Sequence, residues 1–120
     1  MATNDTCCTI VPYFKVLDGQ LDAFKALCER FVERTGGEPQ CLYYGFSFDG
    51  SDAHCREGYE NAEAALAHIN NVGDLLEESR KYAEIVRLEI HGPQDELAKL
   101  RGPLADLNAR FFVLECGFRR

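Results

Sequence analysis

No apolar stretch of the 120-residue chain approaches the roughly 20 residues that a bilayer-spanning helix needs. The opening "MATNDTCC" contains no signal-peptide core, so a cytoplasmic protein is expected. Basic residues are few and scattered. Thirteen Lys and Arg face twenty Asp and Glu, the net charge is −7, and apart from the terminal Arg119 and Arg120 pair the basic residues form no cluster. Nucleic acid is disfavoured as a partner, because phosphate binding needs clustered Lys and Arg to displace counterions, and an anionic membrane surface is disfavoured for the same reason. The chain has no C-x-x-C pair of the kind structural zinc sites use, and adjacent Cys7 and Cys8 on a strand would point to opposite faces. No Gly-rich run precedes a helix as phosphate-binding loops require. Neither a metal nor a cofactor is therefore expected. The six cysteines lack the context of a disulfide framework; four lie in apolar or aromatic runs and read as reduced thiols in a core.

What is present is an ordinary folding composition, 46% hydrophobic and 28% charged, at a length suited to one domain. Residues 1–6 read as a flexible N-terminus and 7–120 as a single domain. "CCTIVPYFKV" (7–16) reads as a strand in which Pro12, lacking an N–H, marks a bulge or the end of pairing. Asp18 is the expected cap of a helix whose stripe is Leu21, Phe24, Leu27, Cys28, Phe31 and Val32, ended by Gly36 and Gly37. "CLYYGFSF" (41–48) and "AHCREGYE" (53–60) flank a "DGSD" turn and read as a hairpin. Asn61 caps a helix with Ala62, Ala65, Leu66 and Ile69 inward; "NNVGD" interrupts it before a further helical piece, "LLEESRKY". "AEIVRLEIH" (83–91) alternates as a strand, with Val86, Leu88 and Ile90 on one face and Ile85, Arg87, Glu89 and His91 on the other. A helix opening at Gly92 and Pro93 should break at Gly102 and Pro103. "RFFVLECGF" (110–118) reads as the last strand.

The order predicts an α+β fold: ferredoxin-like βαββαβ, an antiparallel sheet with helices on one face, plus an added C-terminal helix and strand. Such a sheet leaves one face uncovered, which predicts a homodimer through sheet faces, the extra strand extending the partner's sheet.

If Phe48 pairs with Ala53 across the turn, then Phe46 faces Cys55, Tyr44 faces Glu57 and Leu42 faces Tyr59, all on the more apolar, helix-covered side. Glu57 then becomes a carboxylate in partly apolar surroundings, where desolvation raises its pKa and a tyrosine hydrogen bond lowers it. His68, at the border of the following helix's stripe, projects toward the same space. Glu57 and His68 are the candidate acid/base pair, with Tyr44, Tyr59, Phe24 and Phe46 shaping a pocket for a small aromatic ligand. Such a pair suits removal of a proton from a phenol or enol, whose carbanion reacts with dioxygen without a metal or flavin. The competing reading makes Glu57 a structural carboxylate satisfied by Tyr44 or a backbone amide, with His68 half exposed. On the opposite face, His54 and His91 are expected at one level, about 10 Å apart, among Arg56, Arg87 and Glu89. An ion-paired interface is favoured there over a metal site.

The stretch "REGYENAEAALAHI", a strand ending Glu-x-aromatic followed by a polar cap and a helix with Ala-His-aliphatic, resembles the dimeric α/β-barrel superfamily. Within it the chain is most similar to the antibiotic-biosynthesis-monooxygenase-like group, over residues 7–91. The resemblance implies a homodimer whose two sheets form a barrel, with a pocket between sheet and helices in each subunit. It implies one of several activities: cofactor-independent oxygenation of polycyclic aromatic or polyketide-like substrates, haem degradation, or none, as in a stress-related or ligand-sequestering dimer. Related barrels also host isomerase- or decarboxylase-like proton transfer. Haem degradation is not expected, because the chain has no tryptophan and "LLEESRKY" carries no histidine where those members ligate iron.

Overall fold

A computed structural model describes residues 3–120. The elements are β1 (Cys8–Val16), α1 (Leu21–Thr35), β2 (Cys41–Asp49), β3 (Asp52–Tyr59), α2 (Ala62–Asn71), α3 (Gly73–Ser79), β4 (Ala83–Gly92), α4 (Gln94–Arg101) and β5 (Arg110–Val113), with a 3₁₀ turn at Ala105–Leu107. Five strands form one sheet in the order β2-β3-β1-β4-β5. The first four pair antiparallel, which is the ferredoxin-like arrangement, and the helices lie on one face.

Alternation along β1 produces this one-sidedness: Cys8, Ile10, Pro12, Phe14 and Val16 are buried, while Thr9, Val11 and Tyr13 are half-buried and Lys15 is exposed. One part of the core joins Cys8, Ile10, Tyr59 and Ile90 of the sheet to Ala62 and Ala65 of α2 and Leu97 and Leu100 of α4. Another joins Phe14, Val16, Ala53 and Cys55 to Phe24 and Cys28 of α1. A third, Leu27, Phe31, Val72 and Leu75, packs α1 against α3. All six cysteines are free thiols, and Cys7, Cys8, Cys28 and Cys55 are buried.

Several sequence expectations are corrected in detail. Helix α1 is capped at Gln20 without a side-chain bond rather than by Asp18, because Gly19, at φ 77°, turns the chain between Asp18 and the helix. Opposite Tyr59 stands Cys41, not Leu42. A register shift between Cys41 and Tyr43 leaves Leu42 unpaired and exposed. A second shift, where Tyr13 pairs with Arg87 and Phe14 with Ile85, leaves Val86 without a partner and turns Ile85 to the helix side. Strand β5 pairs in parallel with β4 of its own chain, Glu89 opposite Arg110 through Gly92 opposite Val113. It is also shorter than expected, ending at Val113.

Other expectations match. Pro12 coincides with a gap in the β1–β3 ladder, which stops after Ile10 and resumes in the same register at Tyr13. Asn61 caps α2, accepting from the Ala64 N–H at 2.9 Å. Glu96 of α4 takes the Ala62 N–H at 2.9 Å, so two side chains satisfy the start of α2. Helix α4 stops at Arg101, before Gly102 and Pro103. Of the N-terminal segment, residues 1 and 2 lie outside the described residues; Asp5 pairs with Arg119 at 3.0 Å, and the Thr6 hydroxyl donates to the Glu60 carbonyl at 2.6 Å. Among the described residues no helix is long and apolar enough to cross a membrane.

Candidate functional site

The β2–β3 hairpin positions the first half of the site. Asp49 pairs with Asp52 across a two-residue turn at Gly50 (φ 60°) and Ser51, and the register continues through Phe48–Ala53, Phe46–Cys55 and Tyr44–Glu57. Glu57 lies on the helix-facing side and is 5% exposed. Tyr59, two residues on and on the same side, donates its hydroxyl to Glu57 Oε1 at 2.6 Å.

Helix α2 supplies the second half. Its sheet-facing stripe is built from alanines, Ala62 and Ala65, which leave room for the larger His68 one turn further on. His68 is 3% exposed, and its Nε2 lies 3.4 Å from Glu57 Oε1. The rings of Tyr44 and Tyr59 flank the imidazole at centroid distances of 5.2 and 5.0 Å. On its other edge, Nδ1 meets Glu38, from the α1–β2 loop, at 2.9 Å to Oε2 and 3.2 Å to Oε1. The Asn71 amide donates to Glu38 Oε2 at 2.8 Å. Arg34 donates to the Asn71 carbonyl at 3.1 Å and pairs with Asp74, so the end of α1 is tied to the end of α2.

Burial pushes the Glu57 carboxyl up to about 7; hydrogen bonds from Tyr59 and Cys55 hold it down, and the charge of Glu38 pushes it further up. Burial moves His68 the other way, below the usual imidazole range, against the opposing pull of Glu38. Desolvation, with the Glu57 charge second, raises the Tyr44, Tyr59 and Cys55 protons well above their ordinary values, so all three remain donors. The arrangement is a buried carboxyl and a buried imidazole close enough to exchange a proton, inside a cage of donors.

This pair lies on the wall of a cavity of about 760 Å³ between the sheet and α1, α2 and α3. The remaining wall is mostly apolar, including Ile10, Phe14, Phe31, Phe46 and Leu88. Leu17, Ile85, Val86 and Leu107 belong to its lining and are 43–61% exposed, which places its mouth beside the β4 bulge. Glu57, His68, Tyr44 and Phe46 line the cavity. Tyr59 does not; it reaches the space through its bond to Glu57. Phe24 is corrected: it is fully buried among the rings of Phe14, Phe46 and Phe48, at 5.2, 6.4 and 6.1 Å, because its helix position points at the far end of the sheet.

Sequence reasoning missed Glu38. In "GGEPQ" it has the look of a solvated loop residue, and no spacing relates it to His68 thirty positions away.

The outer face of the sheet carries a separate polar and aromatic array. Glu89 pairs with Arg87 and, at 3.0 Å, with His91 Nε2; Tyr13 packs on His54, and Phe112 stacks on His91. His54 and His91 are not level, since they pair with Tyr13 and Thr9, four residues apart on β1, or about 13 Å along the strand. Among the described residues no cluster of three or more His, Cys, Asp or Glu is arranged to hold a metal.

No protein-family profile matches the chain, and no curated protein matches it. Among solved structures, the crystal structure of MupZ from Pseudomonas fluorescens is 50% identical, with a TM-score of 0.93 over 97% of this chain and 96% of that one. Two candidate antibiotic biosynthesis monooxygenases share the fold. The one from Nitrosomonas europaea is 15% identical, with a TM-score of 0.69 over 78% of this chain and 96% of that one. The one from Chloroflexus aurantiacus J-10-fl is 20% identical, with a TM-score of 0.61 over 72% and 92%. The chain belongs to one family with MupZ, and it shares its fold with the two candidate antibiotic biosynthesis monooxygenases. Coverage of 97% leaves no room for omitting α4 and β5, so the chain shares its C-terminal addition with MupZ.

Proposed function

We propose that the chain binds a small, largely apolar molecule of aromatic or polyketide-like character and moves a proton on it, with Glu57 as the transferring group and His68 as its partner. The observation that carries this reading is a carboxyl held near pH 7 and a neutral imidazole side by side on the wall of a 760 Å³ apolar cavity. A group whose midpoint lies near the working pH serves equally as acid and as base. The cavity far exceeds the roughly 30 Å³ of one water, which weighs against a vestigial pocket in a non-catalytic, ligand-sequestering dimer. Its apolar wall suits rings or alkyl chains, and Tyr44 offers a hydroxyl to a ligand oxygen.

A second reading, cofactor-free monooxygenation, is favoured by the fold shared with candidate monooxygenases. In it Glu57 takes a proton from a phenol or enol and the resulting carbanion reacts with dioxygen. Oxygen consumption separates this from proton transfer alone.

The working assembly in this proposal is a homodimer, its outer sheet faces packed together through Tyr13, Tyr43 and Phe112 among the charged side chains. Sedimentation at micromolar concentration showing a monomer would overturn that part.

A panel of phenolic and quinoid compounds, screened for binding by calorimetry and for turnover with and without oxygen uptake, tests the whole. Turnover is expected to fall by about 10²-fold or more in Glu57→Gln. Turnover that survives replacement of both Glu57 and His68 would remove the mechanism.

A further inference from the structure

We propose that Glu38 is the positioning residue of this site and the outer end of a proton path: it holds His68 with its proton on Nδ1, so that Nε2 takes a proton from Glu57 while the Nδ1 proton leaves toward solvent. The inference rests on the proton-transfer reading above.

Three observations carry it. The first is geometric. Both carboxylate oxygens of Glu38 lie within 3.2 Å of Nδ1, and Asn71 donates to one of them. A carboxylate only accepts, so the ring nitrogen facing it carries the hydrogen. Nε2 then presents its lone pair to Glu57 Oε1, 3.4 Å away. The second is the gradient of exposure: the side chains of Glu57 and His68 are 6% and 4% exposed, and that of Glu38 14%, so along this line of groups Glu38 is the one that meets water. The third is the cavity. A ligand that fills it covers Glu57 from the mouth side, and the His68–Glu38 line is then a connection to solvent that the ligand does not block.

The step balances. A proton taken from a ligand by Glu57 passes to His68 Nε2, the bond between Nδ1 and its hydrogen breaks, and that hydrogen ends on Glu38 Oε2. The imidazole is left neutral with its proton on Nε2, and the Nδ1 form is restored by the reverse step: Glu38 takes a proton from water and returns one to Nδ1, while Nε2 gives its proton back to Glu57, which delivers it to the product. No electrons move and no co-reactant is consumed. Packed around the imidazole are Glu57 and Tyr59 of β3, Tyr44 of β2, and Glu38 and Asn71 at its open edge. Arg34 of α1 supports the Asn71 carbonyl from outside. Among the described residues no cation contacts the ring, so the charge that steadies a transient imidazolium comes from Glu38 and Glu57.

The test needs no substrate. Long-range ¹H–¹⁵N NMR reads which nitrogen of His68 carries the proton, and infrared titration of the protonated carboxyl, assigned with Glu57→Gln, reads the Glu57 midpoint. In the unaltered protein just below pH 7, where Glu57 still holds its proton, the Nδ1–H form is expected. Glu38→Ala removes the acceptor, and the proton should move to Nε2, where it can donate to Glu57. Glu38→Gln keeps an acceptor for Nδ1–H but removes the charge, so the tautomer should stay while the Glu57 midpoint falls from about 7. An Nε2–H tautomer in the unaltered protein, the same tautomer in Glu38→Ala as without it, or an unmoved Glu57 midpoint in Glu38→Gln would each overturn the inference. Preserved amide dispersion checks that each variant is folded, and Glu38→Gln decides the matter if Glu38→Ala is not. Because neither readout depends on turnover, a failed ligand screen and a failed tautomer experiment are distinct results.

Discussion

Replacing Glu57 by Gln should make the protein more stable at pH 8 and change how stability follows pH. An ordinary Glu titrates near 4.5 in the unfolded chain, while burial raises Glu57 to about 7 in the fold. A carboxyl whose folded pKa is raised binds its proton more tightly when folded. Its contribution is complete below the unfolded value, near pH 4.5, and drains away as pH rises through about 7. The gap corresponds to about 3 kcal/mol: about 2 is lost by pH 6 and nearly all by pH 8. His68 acts in the opposite sense, because a lowered folded pKa costs stability as pH falls below the usual imidazole value. Below about pH 6.5 the two oppose each other, since the unfolded chain favours the proton on the histidine and the folded chain favours it on Glu57. Stability of the unaltered protein should therefore change less with pH there than Glu57 alone would impose.

Glu57→Gln keeps the shape, leaves the Tyr59 hydroxyl an oxygen to donate to, and removes the titration. Urea unfolding at pH 4.5, 6 and 8, at one fixed protein concentration because assembly contributes to the midpoint, measures the difference. The variant should gain about 3 kcal/mol on the unaltered protein between the lowest and highest pH. Two curves that run parallel over that range would mean that Glu57 is ionised in the fold at neutral pH, and would refute both the burial account and the role built on it.

Gly58→Ala should cost about 1–3 kcal/mol by chemical unfolding, because a Cβ at this position would lie 2.3 Å from the Tyr43 ring, which would have to lift from the sheet and from Arg56 stacked on it. The same change should weaken self-association if the outer sheet face is the interface, as sedimentation would reveal. Asn61→Ala should cost about 1 kcal/mol through loss of the cap on α2. The cost should sit near the lower end of the usual range because Glu96 continues to hold the Ala62 N–H, and an unfolding midpoint equal to that of the unaltered protein would deny the cap any role.

The fold was legible because its signals are local and repeat. The β2–β3 register follows from a two-residue turn and a period of two, so the pairing of Tyr44 with Glu57 is readable from the chain alone. The bulges were not, because each depends on how a strand meets its neighbour. Nothing in "AEIVRLEIH" announces that Val86 will be skipped, yet that skip turns Ile85 inward and puts two large apolar side chains at the cavity mouth. Glu38 was illegible for a related reason. Its partner His68 arrives from another helix, and the loop that carries it has no periodicity from which a direction could be read.

Glu57 and Glu89 show why the face of the sheet, more than the residue type, decides the chemistry. Both are glutamates on interior strands of one sheet, and both lie within reach of a histidine, at 3.4 and 3.0 Å. Glu89 points to the outer face, where His91 and Arg87 hold its carboxyl below the usual range, so it is a fixed negative charge at neutral pH. Glu57 points beneath the helices, where hydrogen bonds from neutral donors fail to offset the loss of water and, among the described residues, no cation answers it. A carboxylate with a cation beside it can only hold a structure together at pH 7. One deprived of both water and a cation sits at the edge of ionisation, and there a ligand oxygen entering from the cavity, or a change of charge at Glu38, is enough to move its proton.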